Sequence, residues 1–257
     1  MADQWDQGRY AYVTLLSTNN YLDAVLVLNK SLKNVHAQYP LLVMVVDTIF
    51  TPEMEEIFRQ NGIVYETVPP LEYSQFVKDK YQDRENKNVL NTASKIQLFT
   101  LKNWDKLVYL DADVIVLQNI DDLFSRLDGS MIKYAEDQMG FSGMFVFEPR
   151  NHQEDEFYPT IMQAHACVDG DLIGKLWFFV RESKEHQIDP KYFWHYNPNM
   201  TPSDAKVVHF CNHIKPWLEP QHEIFADGSY VNHLYQKLLK EVQHEKNRSS
   251  KSKKKKN

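Results

Sequence analysis

An α/β domain with a mainly parallel central sheet is what this sequence predicts, on three observations. Strand-like and helix-like segments alternate along the chain, the order that lays helices on both faces of a parallel sheet. The stretch LVYLDADVIVLQNIDDLF (Leu107–Phe124) sets two aspartates between apolar runs that otherwise read as a buried strand. With 257 residues, 43% of them hydrophobic and 13% aromatic, the chain can bury a large core as one domain or as a domain with an added lobe.

The elements follow in order. YAYVTLL (Tyr10–Leu16) is a strand, and STNN after it caps a helix that places Tyr21, Val25, Leu28 and Leu32 on one face. LLVMVVD (Leu41–Asp47) is the second strand; Thr51 then stands as N-cap with Pro52 at the first helical position. IVYETV (Ile63–Val68) is the third strand. Leu71–Asn91 is long, polar and irregular, and a loop of that length in a compact domain is more often a functional lid than a connector. NTASKIQLFTLKNW (Asn91–Trp104) reads as a capped helix facing the core with Ile96, Leu98 and Phe99. Beyond the two-aspartate strand come an NIDDLF turn, the strand GMFVFEP (Gly143–Pro149), a helical DLIGKLWFFVRES, the strand AKVVHF (Ala205–Phe210) and a last helix, Ser229–Val242. No internal repeat is visible.

Charge and composition exclude several roles. A net charge of −6 argues against a nucleic-acid partner, which would show a basic face. The basic residues cluster in HEKNRSSKSKKKKN, a run without apolar residues that cannot offset its ordering entropy. The expected organisation is therefore one domain over residues 1–245 and a disordered lysine-rich tail over 246–257. The two cysteines, Cys167 and Cys211, lack metal-type spacing and fit a reducing compartment. MADQWDQGRY does not read as a signal peptide, and no apolar run approaches a membrane span. The expectation is a soluble, cytoplasmic protein without a membrane partner.

Asp111 and Asp113, two apart on a strand, point to the same side. Burying such like charges is costly unless a cation or hydrogen bonds compensate, so replacing one is expected to relieve repulsion. At the carboxyl end of a strand, where open α/β sheets bind ligands, the pair could hold a divalent metal through hard oxygen ligands. An Asp-x-Asp tripeptide alone more often marks an ordinary solvated strand end.

Further blocks change that balance. YVTLLSTNNYLDAVLVLNKSLK, NTASKIQLF, LVYLDADVIVLQNIDDLF, FSGMFVFEP and AKVVHFCNHIKPW together resemble, in the right order from Tyr10 to Trp217, the glycogenin-like branch of glycosyltransferase family eight. The resemblance implies a GT-A fold with a single Rossmann-like nucleotide-binding domain, a UDP-sugar donor, Mn2+, and transfer that retains the anomeric configuration. Leu15, Thr18, Asn19 and Tyr21 match uridine-holding positions, although the stripe alone would make Tyr21 a core residue. Lys95 matches a donor-binding lysine, where an isolated helix lysine would otherwise be a solvated face. Asp111 and Asp113 match metal ligands, Ala112 a ribose contact, and His209 the third protein ligand. A lone histidine after an apolar strand is otherwise a structural residue. Lys215 matches the lysine that pairs with the diphosphate, and Asn212 stands where the family often has a glycine lining it.

The sequence also departs from the family pattern. VDGDLIGKL resembles its DGGDQG block but is one residue shorter and lacks the glutamine. Asp171 is the favoured sugar-hydroxyl binder and Asp169 the second choice, with Asp171 as a plain helix N-cap the structural alternative. Phe141 precedes Ser142 where the family commonly pairs asparagine with serine, so an apolar ring replaces a donor-binding side chain. Galactose and glucose donors both remain open.

Glycogenin carries its self-glucosylated tyrosine in a long segment before the KVVHF strand, whereas FWHYNPNMTPSDAKVVHF leaves a short connector with Tyr192 and Tyr196. A separate acceptor is expected, a cytosolic glycan or glycoprotein, with a homodimer as the form the resemblance implies. Alternatives are a self-glucosylating primer, a galactinol-synthase-like transferase with a small acceptor, a haloacid-dehalogenase-type phosphatase whose nucleophile would be Asp111, and a non-catalytic UDP-sugar sensor or scaffold.

Overall fold

Continuous apolar runs form the centre of a twisted sheet in the computed structural model, which describes residues 8–71, 93–132, 141–151, 184–194, 201–210, 215–218 and 229–254. The strands are β1 (Tyr10–Leu16), β2 (Leu41–Val46), β3 (Val64–Val68), β4 (Lys106–Leu110), β5 (Val114–Val116), β6 (Met131–Ile132), β7 (Phe141–Phe147), β8 (Gln187–Ile188), β9 (Phe193–Trp194) and β10 (Val207–His209). Among the described residues the large sheet runs β3-β2-β1-β4-β7-β6-β8, and a small one runs β5-β10-β9. Only β7 lies antiparallel to its neighbours in the large sheet, beside β4 and β6. The remaining ladders of that sheet are parallel. Every residue of β2 is buried, as a central parallel strand covered on both faces must be.

Side chains alternate between two cores. Tyr12 and Leu16 of β1 join the side packed by α1 (Leu22–Asn34), α2 (Pro52–Gln60) and α3 (Ser229–Lys254). Ala11, Val13 and Leu15 join the other side, covered by Ile96, Leu98 and Phe99. At α2, Thr51 Oγ1 accepts a hydrogen bond from the Met54 amide at 3.2 Å and Pro52 opens the helix, as predicted. The helix closes on Gly62, whose φ of +62° lets Gly62 N donate to the Arg59 carbonyl and Ile63 N to the Phe58 carbonyl.

Three elements differ from the sequence reading. Thr18 precedes a 3-10 turn (Asn19–Tyr21) without a side-chain cap, and α1 starts only at Leu22. The stretch expected to be an α-helix from Asn91 is a 3-10 helix, Ala93–Thr100, because Ser94–Phe99 are buried all round and present no single amphipathic face. The last helix passes Val242 and runs to Lys254. Charge pairs with α1 carry it onward: Lys246 Nζ lies 2.6 Å from Asp23, and Lys30 Nζ lies 2.8 Å from Glu245. The expected lid at Leu71–Asn91 and the expected helix DLIGKLWFFVRES lie outside the described residues except for Leu71. No helix among the described residues is long and apolar enough to cross a membrane.

Candidate active site

The two aspartates do not sit on one strand. β4 ends at Leu110, Asp111–Asp113 makes a turn, and β5 departs into the small sheet. Asp111 N still donates to the Gly143 carbonyl of β7 at 3.0 Å, while Phe210 N donates to the Asp113 carbonyl at 2.8 Å. The tripeptide is thus the hinge between the sheets. Antiparallel pairing of His209 with Val114 then delivers the imidazole to the carboxylates.

His209 Nε2 lies 3.0 Å from Asp113 Oδ1 and 3.7 Å from Asp111 Oδ2. One ligand atom from each of Asp111, Asp113 and His209 falls within 4.8 Å of the others. Two carboxylates and an imidazole form a donor set suited to Mn2+ or a similar divalent ion, and atoms this close can share one. The residues present fit the metal that the sequence implied.

Two lysines flank the cluster. Lys95, only 2% exposed, donates from Nζ to Asp111 Oδ1 at 2.9 Å and to the Ser142 carbonyl at 3.2 Å. It is therefore no solvated helix face; its ammonium also lies 4.7 Å from the centre of the Tyr109 ring, whose hydroxyl donates to the same Asp111 oxygen at 2.8 Å. Lys215 Nζ donates to Asp113 Oδ2 at 2.6 Å and to the Phe210 carbonyl at 2.7 Å. Burial alone would raise the Asp113 carboxyl, but the charges of His209 and Lys215 and the hydrogen bonds from both hold it well below the ordinary carboxylate range. The like-charge repulsion expected from sequence is thus met by a cation on each aspartate.

Aromatic rings wall the histidine. Phe141 and Phe193 lie 5.7 Å and 5.5 Å from the His209 ring, and 5.2 Å from each other. Phe141 folds back over Gly143, where a Cβ would clash with the Phe141 ring and meet Asp111 Oδ2 at 2.9 Å. Gly143→Ala is expected to displace ring or carboxylate and weaken Mn2+ binding by about tenfold or more, the scale of a change behind a metal ligand. A metal titration followed by calorimetry measures it, and unaltered affinity would show that Asp111 tolerates the shift.

The other sequence-predicted residues divide. Tyr21, half-buried, packs edge-on against Trp217 at 5.0 Å and faces the Lys215 ammonium at 5.9 Å. Thr18 closes the turn with its carbonyl toward Tyr21 N, and its buried Oγ1 makes no hydrogen bond among the described residues. Asn19 is exposed in that turn, while Leu15 is buried in the core on the Lys95 side of the sheet. Ala112 and Ser142 are buried beside the aspartates. Asp169, Asp171 and Asn212 lie outside the described residues. Sequence reasoning missed Tyr109, although its place two residues before Asp111 was a usable signal. It also missed Phe193 and Tyr235, which nothing local marks.

A mixed sheet with an acidic metal-type cluster where a central parallel strand ends defines the class: a glycosyltransferase of GT-A fold. The chain belongs to glycosyl transferase family 8, whose profile matches residues 12–167, more than half of it. Human glycogenin-2 is 28% identical over 228 residues, covering 80% of this chain and 43% of that protein. Galactinol synthase 3 of Arabidopsis thaliana is 26% identical over 262 residues, covering 83% and 75%. This chain thus spans less than half of the glycogenin it matches. Among solved structures, the galactosyltransferase LgtC in complex with donor and acceptor sugar analogues superposes with a TM-score of 0.60 at 17% identity, covering 90% of this chain and 95% of that one. Apo GlyE of Streptococcus pneumoniae gives 0.62 at 17% identity, covering 95% and 64%. The phosphatase alternative gains no support, since the family match runs through Asp111.

Proposed function

We propose that this protein is a retaining hexosyltransferase that moves galactose or glucose from a UDP-sugar to a separate acceptor, forming an α-linkage. The observation that carries the reading is the convergence of Asp111, Asp113 and His209, flanked by Lys95 and Lys215, in a family 8 chain. When bound by the first three, a divalent ion, Mn2+ in this reading, supplies positive charge toward the donor diphosphate. In this reading Lys215 donates to the departing phosphate oxygen, and Lys95, hydrogen-bonded to Asp111, holds that carboxylate and faces the donor. Tyr21 and Thr18 offer a ring face and a hydroxyl to the uridine; Ala112 and Ser142 line the approach of ribose and sugar. Asp171, with Asp169 as second choice, binds a sugar hydroxyl. Transfer breaks the bond between the anomeric carbon and the phosphate oxygen while the acceptor oxygen attacks the same face, its proton passing to that phosphate oxygen. UDP release from a panel of UDP-sugars, with Mn2+ or chelator and water as acceptor, tests the reading. Absence of metal-dependent release from every donor would end it.

The acceptor is read as a protein-linked glycan in the cytoplasm, with the glycan on the small adaptor subunit of cullin-type ubiquitin ligases as the particular candidate and a homodimer as the working form. The short connector before β10 supports a separate acceptor over self-priming. So does Tyr192, whose hydroxyl bonds to Asp122 and whose ring lies 4.0 Å from the Lys206 ammonium. Both partners flank the end of the small sheet remote from His209. Purified protein given UDP-sugar and Mn2+ is expected to gain no hexose by intact-mass spectrometry. Serial additions, lost in Tyr192→Phe or Tyr196→Phe, would restore the self-glucosylating alternative. A galactinol-synthase-like small acceptor is the neighbouring alternative, favoured by the plant relatives and decided by offering inositol.

A further inference from the structure

The residues around Lys215 are backed by a helix outside the family's sequence blocks. The Lys215 ammonium lies 5.9 Å from the Tyr21 ring centre and 5.7 Å from that of Trp217. Trp217 is pinned on one side, where Nε1 donates to the Asn20 carbonyl at 2.7 Å. On the other side stands α3: the Tyr235 ring lies 6.1 Å from Trp217 and 4.7 Å from Phe210, whose carbonyl accepts from Lys215. One residue along, Gln236 Nε2 donates to the Pro216 carbonyl at 2.9 Å. Helix α3 is itself fixed to α1 by Lys246 with Asp23 and by Lys30 with Glu241 and Glu245.

We propose that Tyr235, acting with Trp217, is a positioning residue for Lys215, so that the C-terminal helix sets where the diphosphate-binding ammonium points. This rests on the donor reading above for what Lys215 does, but not for how it is held. The Tyr235 ring performs this role and its hydroxyl does not: Oη is buried and makes no hydrogen bond among the described residues. Tyr235→Phe therefore keeps the device, and Tyr235→Leu removes it.

Two readouts on the full-length protein test this. In calorimetry with UDP and Mn2+, Tyr235→Leu is expected to weaken binding about tenfold, within the scale of coupling between packed neighbours, while Tyr235→Phe stays within about twofold. In a Lys215→Met background the Tyr235→Leu effect should largely vanish, because both changes act on one interaction. An equal loss in that background overturns the proposal. The second readout is amide hydrogen exchange of the Lys215–Leu218 segment, expected to speed up several-fold in Tyr235→Leu and not in Tyr235→Phe. If the wild-type protein binds no UDP, the donor reading fails and exchange alone judges the positioning: faster exchange in Tyr235→Leu upholds it and unchanged exchange overturns it. Trp217→Phe, which loses the bond to Asn20, replaces Tyr235→Leu in both measurements if the latter does not fold.

Discussion

Asp113→Asn is expected to reduce metal-dependent UDP release by roughly 100-fold or more, the scale set by losing a charged group at the reacting centre, and to destabilise the fold as well. The second half follows from geometry that the sequence did not show. Asp113 is not held apart from Asp111 by repulsion; its carboxylate is matched by His209 at 3.0 Å and Lys215 at 2.6 Å. Asparagine keeps the shape but removes the Asp113 charge that faces the Lys215 ammonium, and breaking one side of a buried pair typically costs about 3–5 kcal/mol. The lower end is the better expectation, since Lys215 keeps the Phe210 carbonyl. Urea unfolding of the metal-free protein measures this. Because the carboxyl is held well below its ordinary value, about 3.9, the stability that Asp113 lends is complete above that pH and disappears only in stronger acid. Wild type and variant should thus differ most above about pH 5 and converge in strong acid. Unchanged turnover would remove Asp113 from the site, and an unchanged midpoint would show that Lys215 finds another anion.

How much of this was legible in the sequence depends on how local each cause is. β1 and β2 were readable because a buried strand must be apolar along its length, β3 because β-branched and aromatic residues dominate it although most of it is not buried, and Thr51-Pro52 because an N-cap acts over three residues. The two-residue strands β6, β8 and β9 were not, since their pairing with β7, β6 and β10 is set by those neighbours rather than by their own pattern. The Asp111–Asp113 turn looked like strand because apolar runs flank it, yet those runs belong to different sheets. His209 reached the metal group through family resemblance; spacing alone could not show that β10 pairs with β5, because the contact spans 96 residues. The burial of Lys95 ran against residue type; Asp111, Tyr109 and the Ser142 carbonyl around it stabilise an ammonium kept there. Tyr235 gave no signal, since a tyrosine on the apolar face of an amphipathic helix is ordinarily core.

Lys215→Ala separates the charge from the shape of this site. Its ammonium bonds Asp113 and stands within 6 Å of two ring centres, Tyr21 and Trp217, in a region where Phe210 and Trp217 are buried. In such low-dielectric surroundings a fixed cation is worth far more against a developing phosphate charge than in water. The expected loss is about 100-fold or more in kcat, close to 3 kcal/mol of barrier. The Michaelis constant for the UDP-sugar should change less, because the negative charge on the bridging oxygen is greatest in the transition state. Folding should suffer as well, since Asp113 keeps His209 alone among the described residues, and added Mn2+ should restore part of that stability by binding the folded state. A variant whose kcat holds while KM rises would make Lys215 a binder of the ground-state diphosphate. The charge at bond breaking would then have to be met by the metal cluster alone, and Asp113→Asn would remain the decisive loss.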